Sequence, residues 1–410
     1  MAVDLASLRH RARRAVESRD LIYLVSPAGH PNYGDELIAE AWLTYLARHR
    51  PLATVVVDSP RPGQAALLLR HANRRAIFVS TLWELTRYSA QDPPPADVDP
   101  AQPWDWAARA ASRFGPAPME GHGVDLLLRA TTLHLVGGGY VNAVWPHQVA
   151  LVAAIAEVAR TTGARAVGTG LGLTPPVPGL AGERLRTDAA AFEVIDVRDR
   201  PSMDLLDQIP GASFDGDDAW LSPRVRRPKR PGRSDPVILC AQGDLTDDFR
   251  RGDRTGLPAL AEFIEATLDA WSVPGHDVTV VEGMPASDRK VADLLGDRLA
   301  GATVVPFIDV WRDGLPTGTG ATWLSTRFHP HLLAAASGDS GVAIVPKPDY
   351  YGTKHASLIE AGSAWTLAAD GDTIPDRPTA GGFSADAVRT AQKTKTDLAA
   401  RLYPAGVRLR

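Results

Sequence analysis

The residues best suited to acid–base and anion chemistry lie in one run, Ser325-Thr326-Arg327-Phe328-His329-Pro330-His331. A short apolar run precedes it and small residues follow it, so we predict that it joins a strand to the N-terminus of a helix. Arg327 would supply a fixed cation, and His329 would supply a titratable proton donor close to it. His331 is more simply explained as a structural histidine.

Further cations follow other predicted strands. Arg198 lies in Val197-Arg198-Asp199-Arg200-Pro201-Ser202, and an arginine at a strand end can hold a carboxylate or phosphate through two parallel hydrogen bonds. The alternative is an ion pair between Arg198 and Asp199, or a helix cap. Lys347 and Lys354 flank a Pro-Asp-Tyr-Tyr sequence, and either lysine would add positive charge to the pocket.

Three glycine-rich turns also follow predicted strands. They are Gly29-His30-Pro31-Asn32-Tyr33-Gly34-Asp35-Glu36, Gly137-Gly138-Gly139-Tyr140-Val141-Asn142 and Gly168-Thr169-Gly170-Leu171-Gly172. Such turns lie at the sheet edge where α/β proteins bind ligands, although ordinary tight turns use the same residues. Gly29 and Gly34 have Walker A spacing, but Asp35 stands where the phosphate-binding lysine belongs, so we do not expect ATP or GTP there.

The acidic run Asp215-Gly216-Asp217-Asp218 is similar to the Asp-x-Asp motif of metal-dependent sugar transferases. An ordinary acidic turn explains it as well, and we favour that interpretation, which predicts no metal site. The single cysteine, Cys240, excludes an internal disulfide and a cysteine-ligated metal cluster. Its apolar flanks predict a buried thiol.

The composition is that of a globular protein with balanced charge. The chain has 410 residues, 44% of them hydrophobic, and its 44 Lys and Arg against 48 Asp and Glu give a net charge of −4. This balance argues against a nucleic-acid partner, and no apolar run is long enough to cross a membrane. Arg9, Arg11, Arg13 and Arg14 near the N-terminus predict a solvated helix, or alternatively a basic helix that contacts an anionic membrane surface.

Short β-branched runs alternate with helix-length segments almost throughout the chain. We predict strands at residues 21–26, 54–58, 76–80, 132–136, 165–168, 194–197, 213–215, 237–240, 278–282, 303–308, 322–325 and 342–345, and helices at 36–48, 148–161, 257–271, 287–299, 330–337 and 385–402. Continuous apolar strands separated by helices predict parallel sheets covered on both faces. Residues 81–123, with Trp83, Trp104 and Trp106, fit neither pattern and predict a long inserted loop or lid.

The predicted architecture is α/β, with two Rossmann-like domains facing a central cleft, as in glycosyltransferases of the B type. Residues 1–221 form the first domain, which we assign to the acceptor side, and residues 222–236 form a basic, proline-rich linker. Residues 237–384 form the second domain, on the donor side. Residues 385–410 form a C-terminal helix that packs back on the first domain.

Taken in order, these stretches resemble the polysaccharide pyruvyl transferase family. The family's elements are similar to Asn32-Tyr33-Gly34-Asp35-Glu36, Gly137-Gly138-Gly139, Gly168-Thr169-Gly170-Leu171-Gly172, Val197-Arg198-Asp199-Arg200-Pro201-Ser202, Asp217-Asp218, Arg327-Phe328-His329 and Lys354. The resemblance runs from residue 21 to residue 365. His30-Pro31 before the first element and Pro330 after the histidine depart from the family pattern.

The resemblance implies an enzyme that transfers pyruvate from phosphoenolpyruvate to a sugar, as a cyclic ketal, in cell-surface glycan biosynthesis. It implies no cofactor beyond this donor substrate, a sugar or glycan acceptor on a lipid or another carrier, and a cytoplasmic location or one at the inner face of the membrane. His329 is then the acid or the phosphate partner, and Asp35 the base. The donor-binding candidates are Arg198, Arg327, Phe328 and Lys354, and the acceptor-binding candidates are Asn32, Gly138, Asn142 and Trp145, with Trp104 and Trp106 as further stacking candidates.

Two other functions fit the same architecture. Nucleotide-sugar glycosyltransferases often hold the ribose with two glutamates eight residues apart, but Glu262, Glu265, Glu282 and Glu360 include no such pair. A non-catalytic sugar- or anion-binding protein would use the same arginine, histidine and lysine without turnover. Release of phosphate from phosphoenolpyruvate distinguishes all three functions.

Overall fold

The computed structural model describes residues 20–225 and 237–405, and these residues pack as two compact units. Unit 1 contains residues 20–30, 35–221 and 394–405, and unit 2 contains residues 31–34, 222–225 and 237–393. The N-terminal arginines 9–14 and most of the predicted linker, residues 226–236, lie outside the described residues.

A parallel sheet forms the centre of unit 1. Its strands are β1 (Leu21–Val25), β2 (Thr54–Asp58), β3 (Ile77–Val79), β4 (Thr132–Leu135), β5 (Arg165–Leu171), β6 (Val194–Val197) and β7 (Ala212–Phe214). The spatial order is β3-β2-β1-β4-β5-β6-β7, so the chain reverses its direction of travel across the sheet between β1 and β4. All seven strands agree with the predicted ones to within three residues at each end.

The helices of unit 1 cover this sheet. They are α1 (Tyr33–His49), α2 (Pro62–Leu69), α3 (Thr81–Ser89), α4 (Pro103–Ser112), α5 (Gly121–Arg129), α6 (Val149–Thr162), α7 (Gly179–Ala189) and α8 (Arg200–Leu205). Helix α6 is apolar on nearly every side and is buried from Val149 to Ala156, as expected for a helix between the sheet and other helices. Gly163 ends it in the left-handed conformation (φ +72°).

The prediction of a loop or lid over residues 81–123 was wrong, because these residues form α3, α4 and the start of α5. Trp104 and Trp106 are only 7% and 4% exposed and belong to the hydrophobic core of unit 1. They therefore cannot stack on a sugar. The proline-rich stretch after α3 and the mixed tryptophan pattern hid the helical periodicity in the sequence.

Unit 2 repeats the plan with a second parallel sheet. Its strands are β8 (Val237–Cys240), β11 (Val278–Val281), β12 (Thr303–Val305), β13 (Thr322–Ser325), β14 (Ser340–Ile344) and β15 (Thr366–Ala368), in the order β12-β11-β8-β13-β14-β15. The helices are α9 (Gly256–Ala270), α10 (Arg289–Leu295), α11 (Phe307–Asp313), α12 (Phe328–Ala336) and α13 (Thr353–Glu360). A small antiparallel hairpin, β9 (Arg250–Arg251) and β10 (Arg254–Thr255), precedes α9.

Some details of unit 2 differ from the prediction. Strand β15 and the β9–β10 hairpin were missed because they are three and two residues long. The strand predicted over residues 303–308 ends at Val305, where Pro306 introduces α11. Cys240 is buried, as predicted, and burial raises the pKa of its thiol.

The C-terminal helix α14 (Ala385–Leu402) places a lysine in the interior of unit 1. The Nζ atom of Lys395 lies 2.6 Å from Asp196 and 3.1 Å from Asp218, and all three side chains are fully buried. Burial alone would lower the pKa of Lys395, but the two carboxylates outweigh this effect and raise it. The ammonium group is therefore the buried counter-charge of two carboxylates.

Tyr403, just beyond this helix, extends the network. Its hydroxyl lies 2.9 Å from Nδ1 of His134, whose Nε2 lies 2.8 Å from the Thr169 hydroxyl, and Thr169 donates to Asp218 at 2.6 Å. Burial lowers the pKa of His134 to about 4, so this imidazole is neutral at physiological pH. A buried polar chain thus joins residues 394–405 to the sheet of unit 1.

We expect Lys395→Met to destabilise the protein by about 3–5 kcal/mol, because it leaves Asp196 and Asp218 buried without their cation. Urea unfolding measures the change in free energy. Lys393→Met, an exposed lysine on the same helix, is the matched control and should change stability by less than about 0.5 kcal/mol. Equal stability of the two variants would show that the buried ammonium is not needed.

Candidate functional site

Both sheets offer a binding edge where their strand order reverses. In unit 1 the reversal lies between β1 and β4, which are followed by the Gly29 turn and the Gly137-Gly138-Gly139 turn. In unit 2 it lies between β8 and β13, which are followed by Gln242 and by Arg327. Ligands of open α/β sheets bind at this point of the carboxyl edge, so the predicted chemistry and the topology select the same places.

The glycines of unit 1 make room for buried charges. A Cβ atom on Gly137 would lie 2.8 Å from Oδ2 of Asp218, and one on Gly170 would lie 2.7 Å from its Oδ1. A Cβ atom on Gly172 would lie 2.8 Å from Nε of Arg198. These glycines are therefore required by the packing of Asp218 and Arg198, not only by close approach to a ligand.

Backbone hydrogen bonds join two of the glycine turns into one surface. The amide of Gly138 donates to the carbonyl of Gly170 at 3.3 Å, and the amide of Gly172 donates to the carbonyl of Gly138 at 2.9 Å. Gly138 itself has φ +150°, and a Cβ atom there would lie 2.7 Å from the ring of Tyr140. The carboxyl edge is thus continuous from β4 to β5.

Arg198 has internal partners, and its role as a donor clamp stays a prediction. It is 5% exposed, and its Nη1 donates to Asp217 at 3.1 Å, with Asp199 4.0 Å from Nε. Asp199 caps α8 by accepting a hydrogen bond from the amide of Ser202 at 2.8 Å. The helix cap of the alternative interpretation is present, but Asp199 supplies it, and the buried hydrogen-bonded partner of Arg198 is Asp217 rather than Asp199.

The two aspartates at the end of the acidic run after β7 have different partners. Asp217 pairs with Arg198, whereas Asp218 accepts hydrogen bonds from Trp42 at 2.7 Å and from the amide of Gly137 at 3.1 Å. Within residues 20–225 and 237–405, no group of three or more His, Cys, Asp or Glu side chains has the arrangement of a metal site. The Asp217 and Asp218 carboxylates are committed to the buried network.

The acceptor candidates of unit 1 differ in exposure. Asn142 is fully buried, and both ends of its amide bond to its own loop, to the carbonyl of Gly139 and the amide of Val144, each at 2.9 Å. It shapes this loop, and its role in binding the acceptor stays a prediction. Asp35 and Trp145 are half-buried, and Trp145 packs against the core of unit 1.

Glu36 supports the Gly29 turn, a structural role that sequence reasoning missed. It is fully buried, and its Oε1 accepts a hydrogen bond from the amide of Gly29 at 2.6 Å. Burial raises the pKa of Glu36 to about 8, so it is protonated at neutral pH. The Glu36 carboxyl group therefore stabilises the Gly29 turn after β1. In the sequence, the only sign of this role was that Glu36 follows Asp35 in the first glycine-rich motif.

Arg327 occupies the N-cap position of α12, as the strand-to-helix prediction required. It is 7% exposed, and its guanidinium pairs with the buried carboxylate of Asp288 and lies 3.3 Å from Asp244. Asp288 also accepts hydrogen bonds from the amides of Gly283 at 2.8 Å and Met284 at 3.0 Å. Asp288 therefore anchors this guanidinium, and the role of Arg327 as a donor clamp stays a prediction.

His329 is packed against the backbone of the motif around residue 34. An added Cβ atom on Gly34 would lie 1.7 Å from Nδ1 of His329 and 2.5 Å from its Cε1, so the imidazole occupies the space that any larger residue would need. Two contacts of Tyr33 fix this segment within unit 2. Its amide donates to the carbonyl of Gly283 at 2.8 Å, and its ring meets Trp311 edge-on at 6.0 Å.

This packing connects two of the motifs that carry the family resemblance. Asn32 stabilises the turn before α1, because its Oδ1 accepts a hydrogen bond from the amide of Gly34 at 3.2 Å. Gly34 then supplies the surface on which His329 rests, and Asp35 follows as the first residue that groups with unit 1. Spacing along the sequence gave no sign that residues 34 and 329 meet.

A buried pair of histidines contacts the backbone of the turn between β13 and α12. His331 and His355 approach with their Nδ1 atoms 3.0 Å apart, while Nε2 of His355 lies 3.2 Å from the carbonyl of Thr326 and Nε2 of His331 lies 2.8 Å from the Ser363 hydroxyl. One set of tautomers satisfies all three contacts: Ser363 donates to His331, His331 donates to His355, and His355 donates to Thr326. Burial lowers the pKa of His355 to about 4 and also lowers that of His331 well below its usual value, so both are neutral. His331 is structural, as expected.

The two candidate lysines differ in their surroundings. Lys347 pairs with Asp248 at the surface, whereas Lys354 is 7% exposed and its Nζ lies 3.3 Å from the centre of the Tyr350 ring. Phe328 is also buried and meets the ring of His329 edge-on at 5.0 Å. Lys354 is therefore a cation held on an aromatic face, and Phe328 packs against His329.

The sequence model of the polysaccharide pyruvyl transferase family matches residues 32–300. This chain belongs to the polysaccharide pyruvyl transferase family. The match begins at Asn32, the first residue of the motif that holds His329, and no curated protein matches the chain.

Solved structures of low sequence identity share the fold. A UDP-N-acetylglucosamine 2-epimerase superimposes with a TM-score of 0.54 at 10% identity, covering 94% of this chain and 95% of that one. The Methanocaldococcus jannaschii UDP-GlcNAc 2-epimerase, in complex with UDP-GlcNAc and UDP, gives a TM-score of 0.52 at 11% identity, covering 93% and 99%. These likenesses confirm the predicted fold class, two Rossmann-like α/β units of the glycosyltransferase B type, and at such identity they show the fold alone. Within the described residues, no helix has the length and apolar surface that a membrane span requires.

We expect Gly34→Ala to reduce pyruvyl transfer by a factor of about 100 or more, because the added methyl group displaces His329. Steady-state transfer rates and thermal unfolding are measured together, so that a loss of fold is recognised. Gly63→Ala, at a helical glycine with open space around its Cβ position, is the control and should keep full activity. A fully active Gly34→Ala variant would show that the position of His329 does not matter.

Proposed function

We propose that this protein transfers the pyruvyl group of phosphoenolpyruvate to two hydroxyl groups of a sugar, forming a cyclic ketal during cell-surface glycan biosynthesis. Family membership supports pyruvyl transfer to a polysaccharide. The observation that carries the proposal furthest is His329, held on Gly34 in the first turn of α12 beside Arg327.

The reaction needs a proton donor. Protonation of the methylene carbon of the enol gives a methyl group and an oxocarbenium-like carbon, which one sugar hydroxyl attacks with loss of its proton. Phosphate then leaves, the second hydroxyl closes the ring, and its proton balances the phosphate released. We assign the proton transfer to His329 and the deprotonation of the acceptor to Asp35.

The donor is an anion, and the turn that follows β13 places the Arg327 guanidinium beside a helix N-terminus. A helix N-terminus carries partial positive charge, and α12 begins directly after Arg327. Lys354 adds a second cation in unit 2, on the face of Tyr350. These groups suit a carboxylate and a phosphate on one small molecule.

The internal pairs of Arg327 suggest how a donor would reach it. Asp288 is fully buried, so its pair with Arg327 is structural, but the Asp244 side chain is 43% exposed and lies 3.3 Å from Nη2. We propose that an anionic group of the donor takes the place of Asp244. Ser287, which donates to Asp244 at 2.8 Å, would then turn to the donor or to water.

We place the acceptor sugar at the carboxyl edge of unit 1, where Asp35 and the Gly138 turn lie. Asp35 is half-buried, and its Oδ1 would lie 3.6 Å from a Cβ atom on Gly138. Glu36 and Asp218 hold the two turns from below, so the backbone surface presented to a sugar is rigid. A cytoplasmic location is part of the proposal, because phosphoenolpyruvate is an intracellular metabolite.

The proposal is tested with phosphoenolpyruvate and a panel of glycans, by phosphate release and by product mass. We expect a glycan-dependent product that carries one pyruvate ketal, and we expect His329→Ala to lower its rate by a factor of about 100 to 10,000. His276→Ala, at a histidine whose side chain is 71% exposed, is the control. Glycan modification only with nucleotide sugars, or no phosphate release with any acceptor, would contradict the proposal.

The proposed replacement of Asp244 by an anionic group of the donor leads to a separate prediction. We expect Asp244→Asn to lower the KM for phosphoenolpyruvate by a factor of about 2 to 5 with little change in kcat, because an exposed ion pair is worth about 0.5–1 kcal/mol. Asp309→Asn removes a carboxylate of similar exposure, 42%, from an ion pair with Arg312 and is the control. A higher KM in Asp244→Asn would mean that Asp244 positions the guanidinium instead of competing for it.

A further inference from the structure

An arginine-rich face lies at the end of unit 1 opposite the glycine turns. Strands β2 and β3 are parallel and begin at Thr54 and Ile77, so the residues just before them share the amino edge of the sheet. Helices α1 and α2 also end at this edge. We define the amino-edge face by Arg48, Leu52, Leu67, Arg70, Arg74 and Arg75, all of which are exposed.

The charge of this face is not compensated. Arg48, Arg70, Arg74 and Arg75 form no ion pair with a carboxylate anywhere in residues 20–225 and 237–405, whereas many other arginines of unit 1, such as Arg160 and Arg184, do. The only acidic residue between Glu40 and Glu84 is Asp58, which is fully buried.

Two carboxylates of the same part of unit 1, Glu40 and Asp20, already have partners. Glu40 is 6% exposed and lies 2.7 Å from Nε2 of His71, and Asp20 pairs with Arg50. Neither carboxylate neutralises the four exposed arginines. The face therefore presents a local positive potential on a chain whose net charge is negative.

Exposed leucines accompany these arginines. Leu67 is 82% exposed and lies one turn before Arg70 on α2, and Leu52 is 63% exposed. The Nη1 of Arg75 donates to the carbonyl of Pro51 at 3.1 Å, which places this arginine beside Leu52. Leucines among arginines suit a surface with anionic headgroups above acyl chains, because both kinds of side chain find a partner there.

We propose that the amino-edge face docks on a membrane that contains anionic phospholipid. A nucleic acid would satisfy the arginines but would leave Leu52 and Leu67 in water, and none of the exposed residues that define the face is aromatic and could stack on bases. The inference concerns binding alone and holds whatever the donor of the reaction is. It locates on unit 1 a contact that the sequence suggested only for the N-terminal arginines.

The test measures sedimentation of the full chain with vesicles of phosphatidylcholine, with and without phosphatidylglycerol. We expect binding only to the anionic vesicles and a loss on the order of 100-fold in Arg70→Gln/Arg74→Gln/Arg75→Gln, since each arginine near an anionic leaflet contributes about a fivefold factor. Leu67→Gln should weaken binding roughly fivefold. Phosphate release and thermal unfolding of each variant show whether the fold is kept.

The control removes the same charge from elsewhere. Arg160→Gln/Arg312→Gln/Arg389→Gln changes three exposed arginines that are paired with acidic residues on their own helices, and it should bind as the wild type does. Equal loss in both triple variants, equal binding to neutral vesicles, or no vesicle binding at all would overturn the proposal. So would arginine-dependent binding to poly(U) RNA in a protein that ignores the vesicles.

Discussion

The binding edges of both units depend on buried charge that is neutralised from within. Asp218 and Asp196 share Lys395 in unit 1, and Asp288 holds Arg327 in unit 2. Such pairs are costly to desolvate and contribute little net stability, but removing one partner is strongly destabilising. Here these pairs fix the positions of the loops at each binding edge. Asp218 bonds to the turn after β4, and Asp288 bonds to the turn after β11, so each carboxylate fixes a loop as well as a cation.

The same constraint explains residues that a ligand-centred interpretation misassigns. Gly137 and Gly170 are needed because Asp218 lies against them, and Gly172 because Arg198 does. An arginine or glycine at a strand end indicates where the edge is, but it does not reveal whether the side chain faces a ligand or a buried carboxylate. The sequence does not show which case applies, because the buried partners are distant along the chain. Lys395 lies 177 residues from Asp218, and Asp288 lies 39 residues from Arg327.

Much of the fold could be predicted because its signals are local. Apolar β-branched runs located every strand of the first sheet, and Ala385–Leu402 was predicted with its observed bounds. The failures were also local: the tryptophan-rich helices between residues 81 and 123 lack a clear apolar period, and β15 is short. The site was predicted only as a set of residue types. The meeting of Gly34 with His329, and of His355 with the carbonyl of Thr326, follows from tertiary packing that no spacing rule encodes.

The two ends of unit 1 have different chemistry, and this has a consequence for the acceptor. The glycine turns lie at the carboxyl edge and the arginine-rich face at the amino edge, separated by strands of five residues, or about 17 Å. A protein that docks through the amino edge therefore holds its glycine turns well above the headgroups. An acceptor sugar that binds at those turns, as we propose, must be carried on a spacer of several groups or must be soluble in water. Rate measurements with acceptors on carriers of increasing length, on anionic vesicles, distinguish these cases, because a docked enzyme favours the carrier that spans this gap.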